Sequence, residues 1–205
     1  MSISTYVRKL QQALRLAGSA WKSGYDDLWR PTGFERPLPV MQFDHIYTHA
    51  GRIFISSHLW PSTAKLADAA TAEYLIQVGA NSHAHTVIQI SAEGSVELTL
   101  LEGPTFSAAG TGMTQFNSNR TSVNTSDTTI THTPTVSVDG TQLNSKLLPG
   151  GSGPHSAGGS GSFDHEWIFE NDTDYLIQIK NVSGGAASIS IEIDIIEVPI
   201  GVEMW

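Results

Sequence analysis

This 205-residue sequence predicts a mainly β protein: an antiparallel β-sandwich of jelly-roll kind, preceded by an N-terminal helix and an extended arm. Three features carry that expectation. From about residue 43 the apolar pattern has a period of two; Gly, Asn and Ser clusters punctuate the apolar runs at short intervals; and no helical pattern alternates with the strands, as the crossovers of a parallel sheet would require.

The elements follow in chain order. Across residues 4–21, Val7, Leu10, Leu14, Ala17 and Trp21 recur at steps of three and four, which places them on one helical face; Ser4 is positioned to cap that helix and Gly18 or Gly24 to end it. Residues 26–39 hold Pro31, Gly33, Pro37 and Pro39 beside Trp29 and Phe34. Proline fixes φ and removes a donor, so this segment reads as an extended connector with aromatic anchors. The domain organisation is therefore a helix and Pro-rich arm over residues 1–42 and a β-domain over residues 43–205.

Within the β-domain the clearest strand is residues 188–195, where every odd position is isoleucine and every even one polar, the mark of one wet face. Shorter versions lie at residues 52–56, 73–78, 86–91, 95–101, 128–133, 142–147, 166–170 and 174–180. Residues 62–71, rich in Ala, Leu and Lys, predict one helix. Residues 73–78 (EYLIQV) and 174–179 (DYLIQI) match almost letter for letter, which suggests two sheets of similar build facing each other. Six glycines in residues 149–162 predict a mobile surface loop, because such a segment cannot repay its ordering entropy by burial.

Composition narrows the function. A chain of this length with 40% hydrophobic residues buries roughly 70% of its unfolded surface, enough for one domain with an appendage. There is no cysteine, so disulfide, zinc-ribbon and thiol chemistry are excluded. No apolar run is long enough to span a bilayer, and the opening MSISTYVRKL lacks a secretory h-region, so a soluble protein made without a signal is expected. The net charge of -9 is unevenly spread: residues 1–36 carry six of the eleven basic side chains against three acidic ones, leaving an acidic body. Such a body repels phosphate backbones, so no nucleic-acid partner is expected. A basic arm on it either ties the protein to something else or folds back onto its own domain.

Motifs for catalysis are sparse. The Gly-x-Gly triplets at Gly110, Gly151 and Gly159 lack a third glycine or a Gly-Lys-Ser/Thr ending, there is no Gly-x-Ser-x-Gly elbow, and His165-Glu166 has Phe169 where a zinc protease needs histidine. His83 and His85 share a strand face and are able to share a metal, with His45, His49 and His58 as further ligands; exposed turn histidines are the competing reading. Asp164 and Glu166 stand two apart, as paired acids of a glycosidase do and as any solvated strand face does. The sequons at Asn119, Asn124, Asn171 and Asn181 read as turn chemistry. No catalytic residue, cofactor or metal is expected.

The most distinctive stretch is residues 117–140, NSNRTSVNTSDTTITHTPTVSVDG, in which Ser, Thr and Asn fill 14 of 24 positions. A strand polar on both faces suits a wet interface between subunits better than a monomer's core. Asn119-Arg120-x-Ser122-x-Asn124-Thr125-Ser126, Thr131-His132-Thr133-Pro134-Thr135, the Gly-rich loop, Glu166-Trp167-Ile168, Asp174-Tyr175-Leu176-Ile177 and Asn181-x-Ser183-Gly184 together resemble, in this order, a family of small tailed-bacteriophage virion proteins. Its members are head decoration or capsid-stabilising (cement) proteins, and the resemblance spans roughly residues 45–197. Members often read Asn-Arg-Asn-Arg where this chain has Asn117-Ser118-Asn119-Arg120, and Trp-Tyr-Glu where it has Ile195-Ile196-Glu197.

The resemblance implies a β-sandwich head on the capsid exterior, a trimer or dimer, bound to the major capsid protein, with no catalytic role. Interface candidates are Arg8, Arg15, Trp21, Trp29 and Trp205, chosen because Trp and Arg dominate interface energetics, together with Asn119, Arg120, Asn124 and His132. The arm lies outside the resemblance, and its place in that list rests on charge and tryptophan content. The alternative is a carbohydrate- or receptor-binding module using Tyr47, Trp60 and Trp167, with a surface glycan as partner.

Overall fold

The computed structural model describes residues 20–22, 29–31, 43–150, 159–162 and 165–201. The chain divides into two units at Gln42 and Phe43. In the first, β1 (Ala20–Lys22) pairs antiparallel with β2 (Trp29–Pro31), Trp21 opposite Arg30 and Lys22 opposite Trp29. The helical end expected at Trp21 is therefore extended backbone; the rest of that helix, residues 4–19, lies outside the described residues.

The second unit begins with a short helix, α1 (Phe43–His49), and continues as strands: β3 (Ile53–Trp60), β4 (Thr71–Gln77), β5 (Ser82–Ala92), β6 (Val96–Glu102), β7 (Thr105–Ala108), β8 (Thr111–Gly112), β9 (Gln115–Asn117), β10 (Thr129–His132), β11 (Thr135–Val138), β12 (Thr141–Leu148), β13 (Gly159–Ser162), β14 (Trp167–Phe169), β15 (Asp174–Asn181) and β16 (Ile189–Pro199). One antiparallel sheet has the order β12-β6-β15-β4-β10-β8. The other runs β5-β16-β3-β9, with β13 and β14 both pairing β5. Leaving out β7 to β11, the chain changes sheet at every connection except β6 to β12, which are neighbours, and β13 to β14, which both lie on β5. That is the winding of a jelly roll.

The core lies between the sheets. Ile189, Ile191, Ile193 and Ile195 of β16 and Ile88 and Ile90 of β5 meet Ile76, Leu98, Leu100, Ile177 and Ile179 from the facing sheet, all essentially solvent-free. Alternation puts these side chains on one face, and their β-branched shape suits a pleated surface. A second buried row, Thr131, Leu75, Leu176 and Leu101, crosses four strands on the opposite face of the first sheet, at the end where β7 pairs β11.

Three expectations are corrected. Residues 62–71 form turns and a bridge instead of a helix: Leu66 exchanges both backbone hydrogen bonds with Ala187 at 3.0 Å, and Ala69 takes a left-handed φ of 60°. The carbonyls a helix would use internally are committed elsewhere, Leu66 O and Ala67 O to the Asn181 side chain. The matching strands 73–78 and 174–179 do not face each other from two sheets; they are β4 and β15, antiparallel neighbours in one. Part of the Gly-rich segment, Gly159–Ser162, is a strand on the edge of β5.

Candidate functional site

The segment 103–140 between β6 and β12 is the addition this chain makes to the eight-strand winding. It continues from β6 into the separate two-stranded β7–β11 ribbon, adds β10 and β8 beside β4, and adds β9 beside β3 in the other sheet. The sequence block that carries the family resemblance thus lies along the edges of both sheets.

Residues 118–128 have no regular structure, so their backbone groups need side-chain partners. Asparagine supplies them. Asn117 Nδ2 donates to Gly51 O at 2.9 Å, Asn119 Nδ2 to His49 O at 3.2 Å, and Asn124 Nδ2 to Ala50 O at 3.1 Å. These carbonyls follow α1, where the helix has run out of internal donors. On the acceptor side, Asn117 Oδ1 takes the Asn119 N–H and Asn119 Oδ1 takes the Thr121 N–H. Gly51, at φ +65°, leaves room for the loop, because a Cβ there would fall 2.1 Å from Ser122 Oγ. The polar stretch is therefore bonded within its own chain, and Asn119 and Asn124 hold a loop.

Below the loop sits a carboxylate. Glu197 is 2% exposed, and its Oε1 accepts from Ser126 Oγ at 2.6 Å, Asp127 N at 2.7 Å and Thr128 N at 3.0 Å. Sequence reasoning missed this residue although the signal was present: Glu197 continues the odd-numbered, inward register of Ile189 to Ile195.

His132 enters a second cluster. It lies opposite Tyr74 in register and stacks on His58 from the other sheet, centroids 4.4 Å apart and planes 14° from parallel. The Tyr74 hydroxyl accepts the Trp60 indole N–H at 3.1 Å and is hydrogen-bonded to His58 Nδ1 at 2.9 Å. Burial, then the neighbouring His132, holds His58 below the usual imidazole range, and burial pushes Tyr74 up to about 12. His132 accordingly spends its ring on an inter-sheet contact.

Exposed apolar surface gathers beside this edge. Phe116, 55% exposed, pairs with half-exposed Ile55 across β9 and β3, and the exposed Arg120 guanidinium sits 5.4 Å from the Phe116 ring centroid. Val123, in the same loop, is almost wholly exposed.

The other candidates separate. Arg8, Arg15 and Trp205 lie outside the described residues, as does Asp164; Trp21 and Trp29 are described only as paired backbone. His85 is 6% exposed with Nδ1 3.1 Å from Glu166 Oε1, so it does not form a shared exposed face with His83. His45 and His49, one helical turn apart, bring their Nε2 atoms to 3.1 Å. Among the described residues no three His, Asp or Glu gather into a metal set, and no helix is long and apolar enough to cross a membrane. Trp60 and Trp167 are partly buried and pack against the core.

No protein-family model matches the chain, and no curated protein matches it in sequence.

Proposed function

We propose that this chain is a non-enzymatic structural protein of a tailed-phage virion, seated on the capsid exterior through the major capsid protein and through copies of itself as a trimer or dimer. The observation that carries the reading is the Phe116–Arg120 pair, an exposed aromatic ring under a guanidinium at a sheet edge, with Arg120 inside the sequence block that resembles the decoration family. Aromatic and arginine side chains are the groups that anchor interfaces, and the surrounding loop is already fixed by its own asparagines, so little ordering entropy opposes docking. The acidic body and the basic arm support the same reading, since opposite charge on neighbouring surfaces speeds encounter and fixes orientation.

The test is co-sedimentation with capsids of the source phage stripped of this protein, using the full chain, a chain lacking residues 1–36, and Phe116→Ala with Arg120→Ala. Saturable binding lost in the double variant puts the grip at the edge of β9. Loss only on removing the arm moves it to the arm, and no binding by any form overturns the proposal.

A further inference from the structure

The two large sheets end on strands of very different length. β8 has two residues, β9 and β14 have three each and β13 has four, whereas β12 has eight and, among the described strands, pairs β6 alone. Along the far side of an edge strand, alternate residues turn their N–H and C=O groups away from the sheet, and proteins ordinarily blunt such an edge by keeping it short or placing charge on it. Shortness blunts every edge of these sheets but one. The irregularity of β12 is a register shift between Gln142 and Asn144; from Asn144 to Leu148 its ladder to β6 is regular.

Side-chain direction follows from that register. Leu148, Lys146 and Asn144 lie opposite Val96, Leu98 and Leu100, all core residues, so these three point to the core side. Ser145 and Leu147 point the other way and are exposed, Leu147 by 57%. The strand thus offers a neighbour outward-turned backbone along one side, with exposed apolar surface at Leu147 and at Leu143.

We infer that β12 joins two copies of this chain, pairing with itself antiparallel about a two-fold axis that passes Ser145 perpendicular to the sheet. The occupant follows from the strand's own sequence. With the axis at Ser145, Leu147 of one copy lies opposite Leu143 of the other, Lys146 opposite Asn144, and Ser145 opposite Ser145. Apolar then meets apolar, and the ammonium meets an amide oxygen that accepts from it. A centre at Lys146 would set two ammonium groups against each other, and a centre at Asn144 would run the pairing into the register shift. An axis normal to the sheet keeps the core sides of both copies on one face, so the pairing doubles the six-stranded sheet without turning an apolar face outward. A two-fold contact of this kind closes at a dimer. It deepens the proposed contact between copies and rests on that part of the reading; attachment to a capsid is measured separately.

The experiment is sedimentation equilibrium of the full chain over a concentration series, with disulfide trapping as the geometric readout. A reversible monomer–dimer equilibrium is expected. Ser145→Lys and Ser145→Asp each place like charges opposite one another at the axis; each is expected to weaken the dimer about fivefold, and an equimolar mixture to recover it as a heterodimer. Ser145 is exposed, and an unchanged melting temperature checks that both variants fold. The chain has no cysteine, so trapping is specific. With diamide as oxidant, Ser145→Cys is expected to give a covalent dimer, because directly opposite Cα atoms lie within disulfide reach. Leu147→Cys is expected to give none, its two copies standing about 14 Å apart along the strands. A chain that stays monomeric throughout the series, charge variants that dimerise as tightly as the parent, or cross-linking through Leu147→Cys in place of Ser145→Cys overturns the inference, whatever the capsid co-sedimentation gives.

Discussion

Tyr74 and Tyr175 hold the same place in two nearly identical strands that lie side by side and run in opposite directions, Tyr74 opposite Ile177 and Tyr175 opposite Ile76. Both are buried, and each reaches a different part of the facing sheet. Tyr74 meets His58 and Trp60 on β3. The Tyr175 ring stacks on Phe169 of β14 at 3.9 Å and 12°, and its hydroxyl accepts the Glu170 N–H at 3.1 Å. The repeated motif thus makes two struts across the sandwich.

The struts are unequal, and Tyr→Phe variants measure the difference. Tyr74→Phe strands the Trp60 N–H and removes the hydrogen bond to His58 Nδ1, so a loss of about 1–3 kcal/mol is expected in urea unfolding. Tyr175→Phe keeps the ring stack and frees one partly buried N–H, costing about 1 kcal/mol or less. The burial that raises Tyr74 also has an alkaline consequence. Its contribution is complete below the unfolded value of 10.0 and disappears as pH rises towards about 12. Equal losses in the two variants would refute the assignment of roles.

His58 predicts the opposite limb of the pH profile. Its folded pKa is lowered by burial and by His132, so below 6.5 the unfolded chain takes up a proton that the folded chain resists. Stability from this residue is full above 6.5 and declines as pH falls towards the folded value. The groups facing it are Tyr74 at Nδ1, Trp60 in an edge contact between the rings and His132 on its ring face. Replacing His132 by Gln removes the second ring, and the acid limb of a melting-temperature profile is expected to flatten; an unchanged limb would show that the stack does not set the response.

Much of this fold is legible in the sequence, for identifiable reasons. Nine strands of the β-domain follow from period-two alternation, shown most plainly by β3 and β16, which each bury one face along most of their length. Besides β13 in the Gly-rich segment, the strands without that signal, β7, β8, β9 and β11, are short and largely exposed, held by pairing partners that lie far along the chain. The helix expected over residues 62–71 fails because propensity is a weak prior against a bridge to Ala187 and a buried asparagine. At the candidate site, the unusual composition of residues 117–140 set the stretch apart, but composition does not say whether asparagine amides bond within the chain or across an interface. Here Asn117, Asn119 and Asn124 turn inward to the carbonyls after α1, while Arg120 and Phe116 remain outside.

Glu197 is expected to govern the order of that loop. Glu197→Gln keeps one acceptor oxygen but loses the charge that strengthens its bonds to Ser126, Asp127 and Thr128, at a cost of about 1–3 kcal/mol. The local effect discriminates better than the global one. Amide hydrogen exchange at Asp127 and Thr128 is expected to accelerate well beyond that at Ile191 or Ile193 in the core. Uniform acceleration across the sandwich would make Glu197 a general stabiliser and not the clasp of this loop.

Asn181, read in the sequence as a sequon and as part of a turn, carries the sharpest prediction. Its side chain is fully buried: Nδ2 donates to Leu66 O at 2.9 Å, Ala67 O at 3.1 Å and Gly185 O at 2.8 Å, while Oδ1 accepts from Ser183 N at 3.0 Å and Ser183 Oγ at 2.7 Å. A glycan has no room there without unfolding. Asn181→Ala leaves those carbonyls unmet and is expected to cost at least about 2 kcal/mol. Asn181→Asp should cost more at neutral pH despite its closer shape, because a carboxylate oxygen then faces three carbonyl oxygens with no hydrogen between them. That excess is expected to shrink on acidification, since a protonated carboxyl restores one donor. Urea unfolding of both variants at neutral and acidic pH checks the ordering, and an aspartate variant milder than the alanine at neutral pH would contradict the bonding described.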